Sequence, residues 1–261
     1  MNSPMVRRCL GVAVSMLCMA AGCTTLPPDG KKELLSAQQQ YDQGNPAGSE
    51  RLTSRVISRY PDKLEIAEAH YLRGLARVRQ GRAGQARRDF REAITRSKRT
   101  DLTSYANTAL AMLSQRDGDF NEAADYYQAA VVGSDDHSHD ELLYNLGVCL
   151  QRSAQWKRAR ESFLRLLEEA PDSAYAARAR SRADWPNRFF SIQCGVFNNP
   201  TNADRLVSEF SQHGLLAFVH PRGGRADGSR PVYVGRFVDY HSARKALPGV
   251  RRFVHDAYVV P

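Results

Sequence analysis

Residues 66–96 read IAEAHYLRGLARVRQGRAGQARRDFREAITR. Gly81 stands where a turn between two helices is expected, Gly74 and Ala86 are small, and Phe90 follows Ala86 by one helical turn. The same set recurs along the chain. The small residues Ala37, Gly74, Ala111 and Gly147 are spaced by 37, 37 and 36. Twelve positions after each comes another small residue: Ser49, Ala86, Ala123 and Ala159. Four further on are Thr53, Phe90, Tyr127 and Phe163, and the turn positions are Gly44, Gly81, Gly118 and Ala154. Pro61 and Pro171 close the first and last units. Each unit reads as two antiparallel helices. Small residues let the two approach, and the aromatic fills the gap to the next pair. A single pair cannot bury its apolar face, so the units must stack.

This pattern resembles the tetratricopeptide repeat (TPR) over residues 33–171. The resemblance is weakest in the first unit, where Thr53 replaces the aromatic. The units exceed the usual length of about 34 residues, and the surplus is assigned to loops such as Lys98–Asp101 and Ser134–Asp140. Asp172–Asp184 reads as a capping helix started by Asp172 or Ser173. The resemblance implies a concave groove lined by the first helix of each pair. The positions that would face it are Arg79, Arg116 and Arg152, with Tyr71, Thr108 and Tyr144 as neighbours. An arginine ladder beside aromatic rings suits a peptide carrying carboxylates. The other reading is a set of solvated arginines in an arginine-rich chain.

Trp185-Pro186-Asn187 breaks the helical pattern. Phe189–Phe197 alternates around Ile192, Cys194 and Val196 and reads as a strand. Asn202–His213 has helical apolar spacing and ends at Gly214. Strands follow at Leu215–His220 and Pro231–Phe237, separated by a turn containing Gly223-Gly224 and Asp227-Gly228. His241–Leu247 is a second helix and Ala257–Val260 a fourth strand. The order β-α-β-β-α-β is a small α+β, ferredoxin-like unit, with both helices on one sheet face and the other face open. The chain is thus multidomain, an all-α solenoid followed by a small α+β domain.

Ile192-Gln193-Cys194-Gly195-Val196-Phe197, then Ala203, Leu206 and Gly214, then Val232-Tyr233-Val234-Gly235-Arg236-Phe237 and Ala243, and the closing Tyr258-Val259-Val260, resemble the SPOR domain of bacterial envelope and cell-division proteins. The resemblance implies binding of peptidoglycan glycan strands stripped of their stem peptides, through the open sheet face, with Gln193 in the glycan groove. Pro231 stands where that family often has a basic residue, Arg236 where it has Pro, and Val196 where a small or hydroxyl residue is common. The residues themselves point the same way. Sugar rings present apolar faces edged by hydroxyls, so a glycan site needs aromatic platforms with amide and guanidinium partners. Gln193, Phe197, Arg230, Tyr233, Arg236 and Tyr258 are the candidates, although Phe197 and Phe237 also suit a core.

The N-terminus supplies the compartment. Arg7-Arg8 precede a 13-residue apolar run, Cys9–Ala21, which is shorter than the roughly 20 residues a membrane-spanning helix needs. Such a run ending in small residues marks a secretory signal. Ala20-Ala21-Gly22-Cys23 resembles the lipobox of bacterial lipoproteins, with Ala20 where Leu is usual. That resemblance implies cleavage before Cys23 and its acylation. Thr24 in place of Asp favours the outer membrane. The expected layout is a signal over 1–22, a lipidated tether over 23–32, the repeat domain over 33–184 and the SPOR domain over 185–261. An ordinary signal peptide with a chance cysteine is the alternative. Cys149 and Cys194 would remain as buried thiols, although the periplasm would permit a disulfide.

The chain has 261 residues, 42% hydrophobic and 25% charged, which excludes wholesale disorder. Its formal charge is +9, and residues 186–261 hold 10 basic against 5 acidic residues. A basic face there suits an anionic polymer or lipid, and export argues against nucleic acid. No phosphate loop, nucleophile elbow or metalloprotease helix is present, so no catalytic residue, cofactor or metal is assigned. The loop Asp135–Glu141 contains His137 and His139 but reads as a solvated loop, with Asp140 capping the next helix. The expected function is an outer-membrane-anchored periplasmic adaptor of a Gram-negative envelope. It would hold glycan with one domain and one or more envelope proteins with the other, in envelope organisation or cell division. The alternatives are a regulator or targeting factor for a wall hydrolase or synthase, or a plain repeat scaffold.

Overall fold

The structure is a computed structural model that describes residues 25–134, 138–185, 187–219 and 228–261. The chain divides into two compact units, Met1–Leu146 and Gly147–Pro261. The first contains the helices α1 (Pro28–Asp42), α2 (Pro46–Arg59), α3 (Ile66–Arg79), α4 (Ala83–Arg96), α5 (Thr100–Asp117) and α6 (Phe120–Val132). The division falls inside α7 (His139–Arg152). The second unit continues with α8 (Trp156–Glu169), α9 (Ala176–Ala183), β1 (Phe190–Phe197), α10 (Pro200–Gln212), β2 (Ala217–Val219), β3 (Arg230–Phe237), α11 (Tyr240–Val250) and β4 (Tyr258–Val260). A helical solenoid thus precedes a small domain built on a four-stranded antiparallel sheet.

The repeat works as its spacing implies. A Cβ added to Gly74 would lie 2.6 Å from the Phe90 ring, and one added to Gly147 would lie 2.5 Å from Phe163. Phe90 and Phe163 of the second helices therefore rest on bare backbone of the first. The turn residues Gly44, Gly81 and Gly118 adopt φ of +80°, +75° and +85°, and Ala154 adopts +60° at the equivalent place. In the first unit Thr53 fills the aromatic's position. It is buried, and its hydroxyl donates to the Ser49 carbonyl at 2.8 Å.

Two expectations at the ends of the array are corrected. The segment expected to be an extended tether is docked from Leu26 onward and helical from Pro28. Leu26 is 3% exposed among Val56, Ile66 and Ala69, and its N–H donates to Glu65 Oε2 at 2.9 Å. Apolar burial plus a charge-assisted hydrogen bond docks the segment, and Pro28 in the first turn suits the start of a helix. The terminal helix runs over Ala176–Ala183 and follows Tyr175, not Asp172 or Ser173. Ser173 Oγ instead accepts from the Tyr175 N–H at 3.0 Å, which forms a turn before the helix. Asp140 lies within the first turn of α7 and accepts from the Glu141 N–H at 2.7 Å.

In the C-terminal domain the strand order is β2-β3-β1-β4. The helices α10 and α11 are started by Asn199, whose side chain accepts from the Thr201 N–H, and Asp239, whose side chain accepts from the Ser242 N–H. Phe210 of α10 and Leu247 and Val250 of α11 form one core with Ile192, Cys194, Val234 and Ala257.

Candidate functional site

Two adjacent residue rows cross the whole sheet. The first is Ala217, Val234, Ile192 and Val259, joined by the pairs Ala217↔Val234, Ile192↔Val234 and Ile192↔Val259. All four belong to the core under α10 and α11 or pack against it. The second is Phe218, Tyr233, Gln193 and Tyr258, joined by Phe218↔Tyr233, Gln193↔Tyr233 and Gln193↔Tyr258. Directly paired residues share a face and successive residues alternate. This second row therefore lies on the face away from the helices, as one amide among three aromatic rings.

The rings touch. Phe218 and Tyr233 have centroids 5.8 Å apart, and Phe189 meets Phe218 edge-on at 6.3 Å. The exposed Arg236 holds its guanidinium over both phenylalanines, 5.4 Å from Phe189 and 4.9 Å from Phe218. Trp185 approaches Tyr233 edge-on at 5.9 Å. The middle of the row is not open to solvent. Tyr233 is 6% exposed and Gln193 8%, whereas Tyr258 is 49% exposed. That corrects the expectation of a wholly open sheet face. Among the described residues no side chain or backbone group hydrogen-bonds the Gln193 amide, which keeps contact with solvent.

Family models match residues 34–101 and 115–183 to the tetratricopeptide repeat and residues 186–261 to the SPOR domain. The chain carries tetratricopeptide repeats followed by a SPOR domain. Among solved structures it is similar to a tetratricopeptide repeat protein from Parabacteroides merdae. The identity is 16%, covering 71% of this chain and 68% of that one, with a TM-score of 0.53. It is also similar to the MamA RS-1 ArsTM double mutant, at 15% identity over 73% of this chain and 98% of that one, with a TM-score of 0.50. These likenesses are of fold alone. No curated protein matches the chain.

Within the SPOR domain the expected contact residues separate into groups. Gln193, Tyr233 and Tyr258 share the outer row, and Arg236 joins it through Phe218. Phe197 and Arg230 pair with each other four residues further along β1. The Phe197 ring lies over Gly195, 3.0 Å from where a Cβ would be. Gly235 has the same relation to Phe237, with φ +76°. Phe189, Phe218 and Trp185 were not foreseen. Phe218 was accessible from strand alternation once its pairing with β3 was known. Trp185 lies outside the SPOR match and was legible in the sequence only as part of the break between the two domains.

On the repeats, the three arginines expected to form a ladder stand in three settings. Arg79 stacks over the Tyr41 ring at 3.7 Å, and its Nη1 donates to the Tyr41 carbonyl at 2.6 Å. Arg116 is exposed and pairs with Asp117 at 3.7 Å. Arg152 lies over the Tyr240 ring at 4.8 Å. Tyr71 is a core residue packed on Phe90 at 5.8 Å, which corrects its expected place in the groove. It precedes Gly74 by three residues and so shares the helix face that Gly74 presents to α4. Thr108 is buried and donates to the Ser104 carbonyl at 2.9 Å. Tyr144 is half-buried.

Burial pushes the Cys149 and Cys194 thiols up to about 12, so both stay protonated and weakly nucleophilic. Among the described residues no group of three His, Cys, Asp or Glu side chains is placed to hold a metal ion. Asp135, Asp136 and His137 lie outside the described residues, as do Cys23 and the whole expected signal. No described helix is long and apolar enough to cross a membrane.

Proposed function

We propose that this protein is a cell-envelope adaptor that grips peptidoglycan glycan strands lacking stem peptides on the outer face of its SPOR sheet and recruits an envelope protein with its repeats. Tetratricopeptide repeats support protein interaction, SPOR domains support peptidoglycan binding, and neither is a catalytic module. The observation that carries the glycan reading is the row Phe218–Tyr233–Gln193–Tyr258, flanked by Arg236. Sugars stack on aromatic faces and need an amide or guanidinium for their hydroxyls and carbonyls. The unused amide of Gln193 supplies both a donor and an acceptor. A glycan lying flat on a sheet leaves no room for a stem peptide on the contacting side.

Anchoring at the outer membrane through acylated Cys23 belongs to the same proposal. It rests on the short apolar run, the small residues before Cys23 and the absence of Asp at position 24. On the repeats, Arg79 and Arg116 are the exposed members of the arginine set, and Arg79 is already stacked on Tyr41.

The test is co-sedimentation of the full chain with sacculi treated or not treated with an amidase that removes stem peptides. Binding is expected to rise after treatment and to persist at moderate salt. Gln193→Ala is expected to weaken it by about 0.5–1.5 kcal/mol, the worth of the lost hydrogen bonds, and Tyr258→Ala by a similar amount. Equal binding to both preparations, abolished by salt, would reduce the site to a basic patch.

A further inference from the structure

Tyr233 presents a contradiction. It sits at the centre of the sheet face that, on the glycan reading, must receive a sugar, yet it is 6% exposed. A ring can stack on a sugar only if one of its faces is free. Its neighbours are Phe218 on one strand and, from beyond the SPOR match, Trp185. The Trp185 ring stands at 83° to that of Tyr233 with centroids 5.9 Å apart.

Trp185 is delivered there by the repeat array. Its N–H donates to the Arg182 carbonyl at 3.3 Å, so it continues the end of α9. That end is held from two sides within the same unit. Arg182 Nη1 donates to Gln151 Oε1 on α7 at 2.6 Å, and Arg160 Nε on α8 donates to the Ala183 carbonyl at 3.2 Å. The end of α9 that carries Trp185 is thus held to the last repeat by two hydrogen bonds.

We propose that Trp185 is a gate on the glycan face, closed in this conformation and coupled through α9 to the last repeat. This rests on the glycan reading above. Glycan binding displaces Trp185 from Tyr233, and the affinity of the resting protein is lowered by the fraction of molecules that are closed. A partner that shifts α9 against α7 and α8 would open the site, so protein binding and wall binding would be linked, each favouring the other.

Two measurements on the full chain test this. The first needs no glycan. Nitration of tyrosines by tetranitromethane, read residue by residue by mass spectrometry, should be slow at Tyr233 in the native protein. It should be roughly tenfold faster in Trp185→Ala, by release of the closed population, with the exposed Tyr258 unchanged as reference. The second is affinity for purified glycan strands stripped of stem peptides, which Trp185→Ala should raise by roughly three- to tenfold. Trp185→Phe should stay near the native value in both. Lower affinity in Trp185→Ala would make Trp185 a sugar platform and overturn the gate. Unchanged nitration of Tyr233 would overturn it as well. Faster nitration without glycan binding by either form would keep the gate and sink the glycan reading instead.

Discussion

Arg73 Nη2 donates to Asp89 Oδ1 at 2.7 Å, joining α3 to α4 inside the second repeat. The other oxygen of Asp89 accepts from Arg77 Nη1 at 2.7 Å, and His70 Nδ1 lies 3.4 Å from Oδ1. Arg77 also donates to Glu50 at 2.9 Å, and Arg82 pairs with the same carboxylate, which extends the network to α2. Asp89 is 2% exposed. Burial alone would push its carboxyl up. The hydrogen bonds from His70 and Arg73 and the charges of Arg73 and Arg77 outweigh burial and hold it below the ordinary carboxylate range.

Asp89→Asn should therefore leave Arg73 without its carboxylate, while Arg77 keeps Glu50, and lower stability at neutral pH by about 3 kcal/mol, as broken buried pairs do. The folded pKa is depressed. The stabilisation is thus complete above the unfolded value near 3.8 and is lost as pH falls through the folded one. Urea unfolding at several pH values should show the gap between native and variant closing on the acid side. A gap that is constant down to pH ~2 would mean that packing, not charge, explains it.

Ala154 occupies the turn position held by glycine in the other three repeats, at φ +60°. A side chain there costs about 1 kcal/mol. Ala154→Gly should raise the thermal midpoint of the unit Gly147–Pro261. Gly81→Ala and Gly118→Ala should lower stability by a similar amount, and differential scanning calorimetry would register both signs.

Glycine means different things at different places in this chain. Gly147→Ala would drive a methyl to 2.5 Å from the Phe163 ring, and overpacking of this kind costs roughly 1–3 kcal/mol. Gly84 in α4 has open space around its missing Cβ. Gly84→Ala should be stabilising by about 0.5 kcal/mol through helix propensity. Chemical denaturation of the two variants should move in opposite directions.

Thiol chemistry gives a separate check. With both thiols pushed up to about 12 by burial, Cys149 and Cys194 should resist iodoacetamide at pH 8 and label promptly in denaturant. Rapid native labelling of Cys149 would show that α7 opens locally.

Trp156 of α8 meets Phe190 of β1 with centroids 4.8 Å apart, and Phe190 in turn meets Tyr240 at 5.8 Å. Trp156→Ala should uncover a strand residue that is otherwise buried and lower stability by about 2 kcal/mol, less than for a fully buried tryptophan because Trp156 is half-exposed. Hydrogen exchange in β1 should accelerate. Exchange confined to α8 would argue that the repeat and the sheet are energetically independent.

The sequence by itself determined the architecture. A period of 36–37 residues in small residues and aromatics requires stacked helix pairs, because close backbone approach and gap filling are local demands repeated in every unit. The strand and helix alternation after Trp185 determined the order β-α-β-β-α-β for the same reason, and Gln193, Tyr233 and Tyr258 were readable as candidates from the SPOR resemblance together with residue type. Only the tertiary structure decided which of them meet. The strand order β2-β3-β1-β4 brings Phe218 and Tyr258, far apart in sequence, into one row with Gln193 and Tyr233. The docking of Leu26 against Val56, Ile66 and Ala69 replaced an expected tether with helix. The edge contact of Trp185 with Tyr233 and the separate engagements of Arg79 and Arg152 arise from contacts between elements distant in the chain. Periodicity reports what each element does to its immediate neighbours. Pairing between distant strands, and the side chain of one element resting on another, depend on where the whole chain comes to lie.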